Sequence, residues 1–104
     1  MMSAYIIADV DVTDPQQYED YKRWSTHAIQ THGAQVLVRG GAVTVLEGDW
    51  QPSRIVVLRF PTVQAAQAFY DSPEYRRARQ ARAGAAVMRM IAVEGLDQPG
   101  PPHP

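Results

Sequence analysis

Short runs of Val, Ile and Leu along the chain alternate with segments whose apolar residues recur every three or four positions. Ala4 to Val12 (AYIIADVDV) is β-branched and aromatic and too short for a stable isolated helix, which predicts a strand. Asp14 followed by Pro15 predicts a helix start, because the carboxylate accepts from free amides of the first turn and proline there forfeits no hydrogen bond. Tyr18, Tyr21, Ser25, Ala28, Ile29 and His32 then form one stripe, with Glu19, Asp20, Lys22 and Arg23 largely off its centre, and Gly33 ends the helix. Arg54 to Phe60 (RIVVLRF) is strand-like and closed by Pro61. A second helix, capped by Thr62, carries Val63, Ala66, Phe69 and Tyr70 on one face, and Ser72-Pro73 restarts a further helix. VMRMIAVEG predicts the last strand, and the Pro-rich stretch 96–104 has too few apolar groups to order itself.

The segment LVRGGAVTVLEGDW, between the first helix and RIVVLRF, poses a choice. A tight hairpin at Gly40-Gly41 would add a strand and make RIVVLRF parallel to the first one. One long second strand, kinked by a bulge at Gly40-Gly41 with GDWQPS as the turn into RIVVLRF, keeps the sheet antiparallel. The bulge also puts Val36, Val38, Val43 and Val45 on one face. The resulting order βαββαβ predicts an α+β, ferredoxin-like fold: an antiparallel sheet with helices on one face. Residues 1–95 are expected to form this one domain and 96–104 a flexible tail.

Alternation then assigns two faces to the sheet. Ile6, Ala8, Val10, Val56, Leu58, Phe60, Met88, Met90 and Ala92 make an apolar face suited to the helices. The opposite face mixes Tyr5, Ile7, Ile55, Val57, Val87, Ile91 and Val93 with Asp9, Asp11, Arg59 and Arg89, and Arg39 is expected there too, opposite the valines. A solvent-facing sheet does not need so many Ile and Val, which predicts a second copy covering it. Asp9 is expected to pair with Arg59 across the strands. That leaves at least one of Arg39, Arg59 and Arg89 for an interface contact or for a small bound anion.

Composition narrows the classes of function. A chain of 104 residues with 45% hydrophobic residues supports one core, and a formal net charge of −1 gives no support to nucleic-acid or anionic-membrane binding. Without cysteine there are no disulfides, thiolate catalysis or cysteine metal sites. No stretch resembles a signal peptide or a membrane span, so the cytoplasm is the expected compartment. His27 and His32 are five residues apart, which does not bring two ligands to one helix face, and no metal or cofactor is expected. Arg76, Arg77, Arg79 and Arg82 read as a solvated basic face.

Taken together, AYIIADVDVTDPQQYEDY, LVRGG, VLEGDW, RIVVLRFP and AFYDSPEYRRAR resemble the family catalogued as domain of unknown function 1330, within the dimeric α+β barrel superfamily. The resemblance covers about residues 4 to 95. It implies a ferredoxin-like protomer that pairs through its sheet into a barrel with the helices outside. It implies no established activity, although the wider superfamily includes cofactor-free monooxygenases, lactone isomerases and haem-degrading enzymes.

The expectation is therefore a homodimer that binds a small anionic organic molecule between sheet and helices, with a cofactor-free monooxygenase- or isomerase-like reaction as its enzymatic version. Arg39 is the expected anion anchor, Arg59 and Arg89 are further ligand-binding candidates, Glu47 or Asp9 is the proton carrier, and Trp50 with Tyr70 walls the pocket. The alternative is a non-catalytic dimer whose charged sheet face serves the subunit interface, with Trp50 plugging the barrel end and Tyr70 and Tyr75 packing a helix joint.

Overall fold

In the computed structural model, which describes residues 3–96, Ala4–Val12 forms the central strand β1. Asp14 caps α1 (Pro15–Thr31) by accepting from the Gln17 amide at 3.1 Å. The chain continues through β2 (Gln35–Arg39), β3 (Arg54–Phe60), α2 (Val63–Asp71), α3 (Pro73–Ala81) and β4 (Ala86–Glu94). The sheet runs β2-β3-β1-β4 with every neighbouring pair antiparallel. This is the α+β, ferredoxin-like arrangement read from the sequence. The second helical region is divided at Ser72, whose hydroxyl donates to the Phe69 carbonyl at 2.7 Å and accepts from the Tyr75 amide at 3.1 Å. One serine thus closes α2 and opens α3.

The helices cover the face on which Ile6, Ala8, Val10, Leu58 and Phe60 are buried. From α1 come Tyr18, Tyr21, Ala28 and Ile29, and from the other two helices Ala66, Phe69, Tyr75 and Ala78. Phe69 is the hub, with ring centroids 5.1 Å from Phe60 and 4.8 Å from Tyr75. Burying an aromatic ring of this kind stabilises the fold by about 1.5–3 kcal/mol. The Gln17 side chain crosses to the end of α3, donating to the carbonyls of Ala81 and Ala83 at 3.1 and 2.8 Å, and fixes α1 against its neighbour.

The second strand departs from expectation. It is five residues long, and its bulge lies between Val36 and Val38 rather than at Gly40-Gly41. The Gly40 amide still donates to the Ile55 carbonyl at 2.8 Å, but its φ of 69° then turns the chain out of the ladder, and residues 42–53 lie outside the sheet. The cause is in the partner strand. β3 begins at Arg54, so residues beyond Gly41 would have to pair with Ser53 and Pro52, and proline has no amide to offer. The early bulge also reverses the facing of the remaining strand residues. Val36 stands opposite Leu58 on the helix side, Val38 opposite Val57 on the far side, and Arg39 opposite Val56 on the helix side again. The four valines therefore do not share a face, and Arg39 is on the helix side instead of on the mixed face.

Among the described residues no helix is long and apolar enough to cross a membrane. The tail expected over 96–104 lies, from residue 97 on, outside the described residues.

Candidate functional site

The residues proposed from sequence separate into distinct places. Asp9 and Trp50 meet on the mixed face. The Asp9 carboxylate accepts the indole N–H of Trp50 at 3.2 Å and the Ser53 amide at 3.1 Å, which ties the 48–53 turn to β1. Asp9 is opposite Ile55 and Arg89 in register, while Arg59 is opposite Tyr5, so the expected Asp9–Arg59 pair does not form. Arg59 instead donates to the Ser3 hydroxyl at 2.8 Å and to the Gln35 side-chain carbonyl at 3.4 Å. Arg89 is exposed beside Asp9, Trp50 and Val87 around an open recess of about 550 Å³. Glu47 is exposed in the segment outside the sheet. Tyr70 lies on α2, stacked at 5.7 Å on Tyr75 and at 4.2 Å under the Arg79 guanidinium. It shares no wall with Trp50, because the sheet stands between them.

Arg39 borders a different and more enclosed space. A cavity of about 60 Å³ lies between α1 and the helix face of the sheet. One water needs roughly 10–15 Å³ of such space, so the cavity suits a group of a few heavy atoms. Its deep wall is apolar and aromatic, including Tyr18, Phe69 and Met88, and its more exposed lining is Lys22, Thr26, Arg39 and Arg54. Lys22 is already paired with Glu19 at 3.0 Å. Among the described residues, neither Arg39 nor Arg54 pairs with a carboxylate, and the Arg54 Nε is buried without a hydrogen-bond partner. No Asp, Glu or His lines this space among the described residues.

Arg54 reaches it by alternation: it stands opposite Val10 and therefore faces the helices. The guanidinium lies against Gly40, where a Cβ would overlap it. The same glycine that turns β2 out of the sheet makes room for the arginine of β3.

Two of the three phenols in the deep wall are paired with each other. The hydroxyls of Tyr21 and Tyr75 are 2.7 Å apart, with the residues only 8% and 1% exposed. Burial pushes both phenols above their ordinary range; for Tyr75 the hydrogen bond with Tyr21 and the positive charge of Arg82 offset part of the rise. Both therefore remain neutral hydroxyls near neutral pH. Arg82 stands 5.7 Å over the Tyr21 ring and Arg77 4.1 Å over Trp24. With Arg79 on Tyr70, three of the four α3-region arginines rest on aromatic rings rather than forming a freely solvated face.

Sequence reasoning does not place Arg54 or Tyr21 in the site, and it weighs the Tyr75 hydroxyl as a ligand contact against the packing of a helix joint. A signal for Arg54 is present: it has the same parity as Val56, Leu58 and Phe60, so alternation alone puts a charge among them. The tyrosine pair spans 54 residues and has no local signal.

Residues 3–96 match the family model described as Domain of unknown function (DUF1330). The chain belongs to this family. Among solved structures, a similar fold is found in RPA0582, a protein of unknown function from Rhodopseudomonas palustris, with 23% identity and a TM-score of 0.70 over 93% of this chain and 85% of that one. SnoaB, a cofactor-independent oxygenase from Streptomyces nogalater, superposes with a TM-score of 0.63 at 9% identity over 97% of this chain and 100% of its own. A dimeric ferredoxin-like protein of unknown function from Thermobifida fusca does so with a TM-score of 0.52 at 19% identity, covering 89% of each chain. At these identities the likeness establishes the fold alone. No protein of curated function matches the sequence.

Proposed function

We propose that this DUF1330 protein is a homodimer in which each protomer binds a small anionic organic molecule between α1 and the sheet. The observation that carries the reading is the pair Arg39 and Arg54, both without a carboxylate partner among the described residues, beside a cavity whose deep wall is apolar. A buried donor left unmatched costs about 1–3 kcal/mol, and a carboxylate held by two guanidinium groups removes that cost at Arg54. Arg39 keeps the anchoring role expected of it, on the other side of the sheet. Asp9, which holds the Trp50 turn, and Glu47, which is exposed, are outside this site, so neither is assigned a proton transfer in it.

Dimerisation is supported by the mixed face, where Trp50, Val87 and Ile91 are 57%, 62% and 58% exposed. Asp9 and Asp11, with Arg89 beside them, lie toward one end of that face and Arg59 toward the other, so a copy stacked in the opposite direction brings Arg59 of one protomer toward the acidic end of its partner. The Thermobifida fusca protein, described as dimeric, supports the same reading.

An enzymatic version of the site draws on the arginines to stabilise negative charge developing on the substrate and on the phenols as hydrogen-bond donors. The SnoaB likeness is consistent with chemistry that needs no cofactor. The reading is tested by thermal-shift titration with short carboxylates. A ligand at about 100 times its Kd stabilises by about 2.7 kcal/mol, and each kcal/mol moves the midpoint of a domain of this size by roughly 4–8 °C. Midpoints that stay fixed throughout the series contradict the reading.

A further inference from the structure

Two hydroxyls contribute two O–H donors. Whichever way the 2.7 Å bond between Tyr21 and Tyr75 is oriented, it consumes one of them. The only other hydrogen bond that either hydroxyl makes to an acceptor among the described residues runs to the Met88 thioether, 4.0 Å from the Tyr75 oxygen. Sulfur is a weak acceptor and that distance is long, so one strong donor has no adequate partner. Both residues are more than nine-tenths buried and both line the cavity. The charged group that acts on both phenols is a cation, Arg82, which supplies no acceptor. Buried hydroxyls are ordinarily satisfied. The deep end of the cavity therefore calls for an acceptor oxygen, just as its outer end calls for an anion.

We infer that the ligand is a short oxo acid, whose carboxylate is held by Arg39 and Arg54 and whose second carbonyl oxygen accepts the spare hydrogen of the Tyr21–Tyr75 pair. The inference rests on the anion-binding reading above and adds the carbonyl. The cavity of about 60 Å³ limits the carbon chain to a few atoms. Between the two polar ends, the Phe69 ring and the Met88 side chain offer mainly apolar contact, so the skeleton is unsubstituted or alkyl.

Matched pairs of acids test the carbonyl separately from the carboxylate. Titration calorimetry of the full chain is run with levulinate against valerate and with pyruvate against propionate. In at least one pair both acids bind, and the oxo acid binds about fivefold tighter or more, the effect of one added neutral hydrogen bond. In the Tyr21→Phe/Tyr75→Phe double variant that preference disappears. Each single variant retains the preference, because one hydroxyl remains to donate. If oxo and plain acids bind the unaltered protein equally, the carbonyl inference is overturned and the anion reading stands. If none of the four acids binds, both are overturned. Should the double variant fail to fold, the comparison on the unaltered protein decides alone.

Discussion

The guanidinium of Arg54 lies against the Cα of Gly40, on a backbone held at φ 69°. The positive φ favours glycine there, and a side chain at Gly40 would in addition force the Arg54 guanidinium to shift. Gly40→Ala is expected to destabilise the protein by about 1–3 kcal/mol and to weaken anion binding by displacing the arginine. Gly41 has nothing within 4 Å of a built Cβ and no positive φ. Gly41→Ala should therefore stay within about 0.5 kcal/mol of the parent. Paired denaturation curves check both, and equal effects would contradict the distinction.

Asp9 is assigned to architecture. Asp9→Ala removes the acceptor for the Trp50 indole and the Ser53 amide. The expected outcome is a loss of about 1 kcal/mol, faster hydrogen exchange at the Ser53 amide, and unchanged affinity for short carboxylates. Loss of carboxylate binding in this variant would return Asp9 to the ligand site.

Ser72 positions Tyr75 by capping the helix that carries it. Ser72→Ala is expected to cost about 1–2 kcal/mol because the hydroxyl is buried and bonded on both sides. Ser72→Asn, which restores an acceptor for the Tyr75 amide, should recover part of it. Chemical denaturation of the two variants gives the comparison.

His32 and Glu74 join the end of α1 to the start of α3 at 2.9 Å. The hydrogen bond from His32 holds the Glu74 carboxyl below its ordinary value. Because folding lowers this pKa, the contribution is complete above the ordinary carboxylate range and is lost as pH falls through the folded value. Glu74→Gln should therefore flatten stability against pH in the acid range. An identical acid limb in parent and variant would contradict the assignment.

Legibility in the sequence tracks the range of the interactions involved. Strands β1, β3 and β4 are readable because each residue's face is set by its own neighbours, and Asp14-Pro15, Thr62 and Ser72-Pro73 announce helix starts by local hydrogen bonding. The bulge in β2 is misplaced by pattern alone because the residue to be doubled is chosen by the register of β3, and Val36, Leu37 and Val38 are nearly equivalent on their own strand. That single displacement moves Arg39 to the other face, away from Asp9 and Trp50, while Tyr70 is parted from Trp50 by the sheet itself. Arg54 needs Gly40, and Tyr21 needs Tyr75, partners that pattern alone does not join.

Carboxylate affinity in arginine variants, measured by titration calorimetry, tests the central claim most directly. Arg39→Ala and Arg54→Ala should each weaken binding of a short carboxylate by about tenfold or more, the loss of charge-assisted hydrogen bonds. Arg59→Ala, on the opposite face of the sheet, should bind as the parent does. Undiminished affinity in both Arg39→Ala and Arg54→Ala, or its loss in Arg59→Ala alone, would contradict a site between α1 and the sheet.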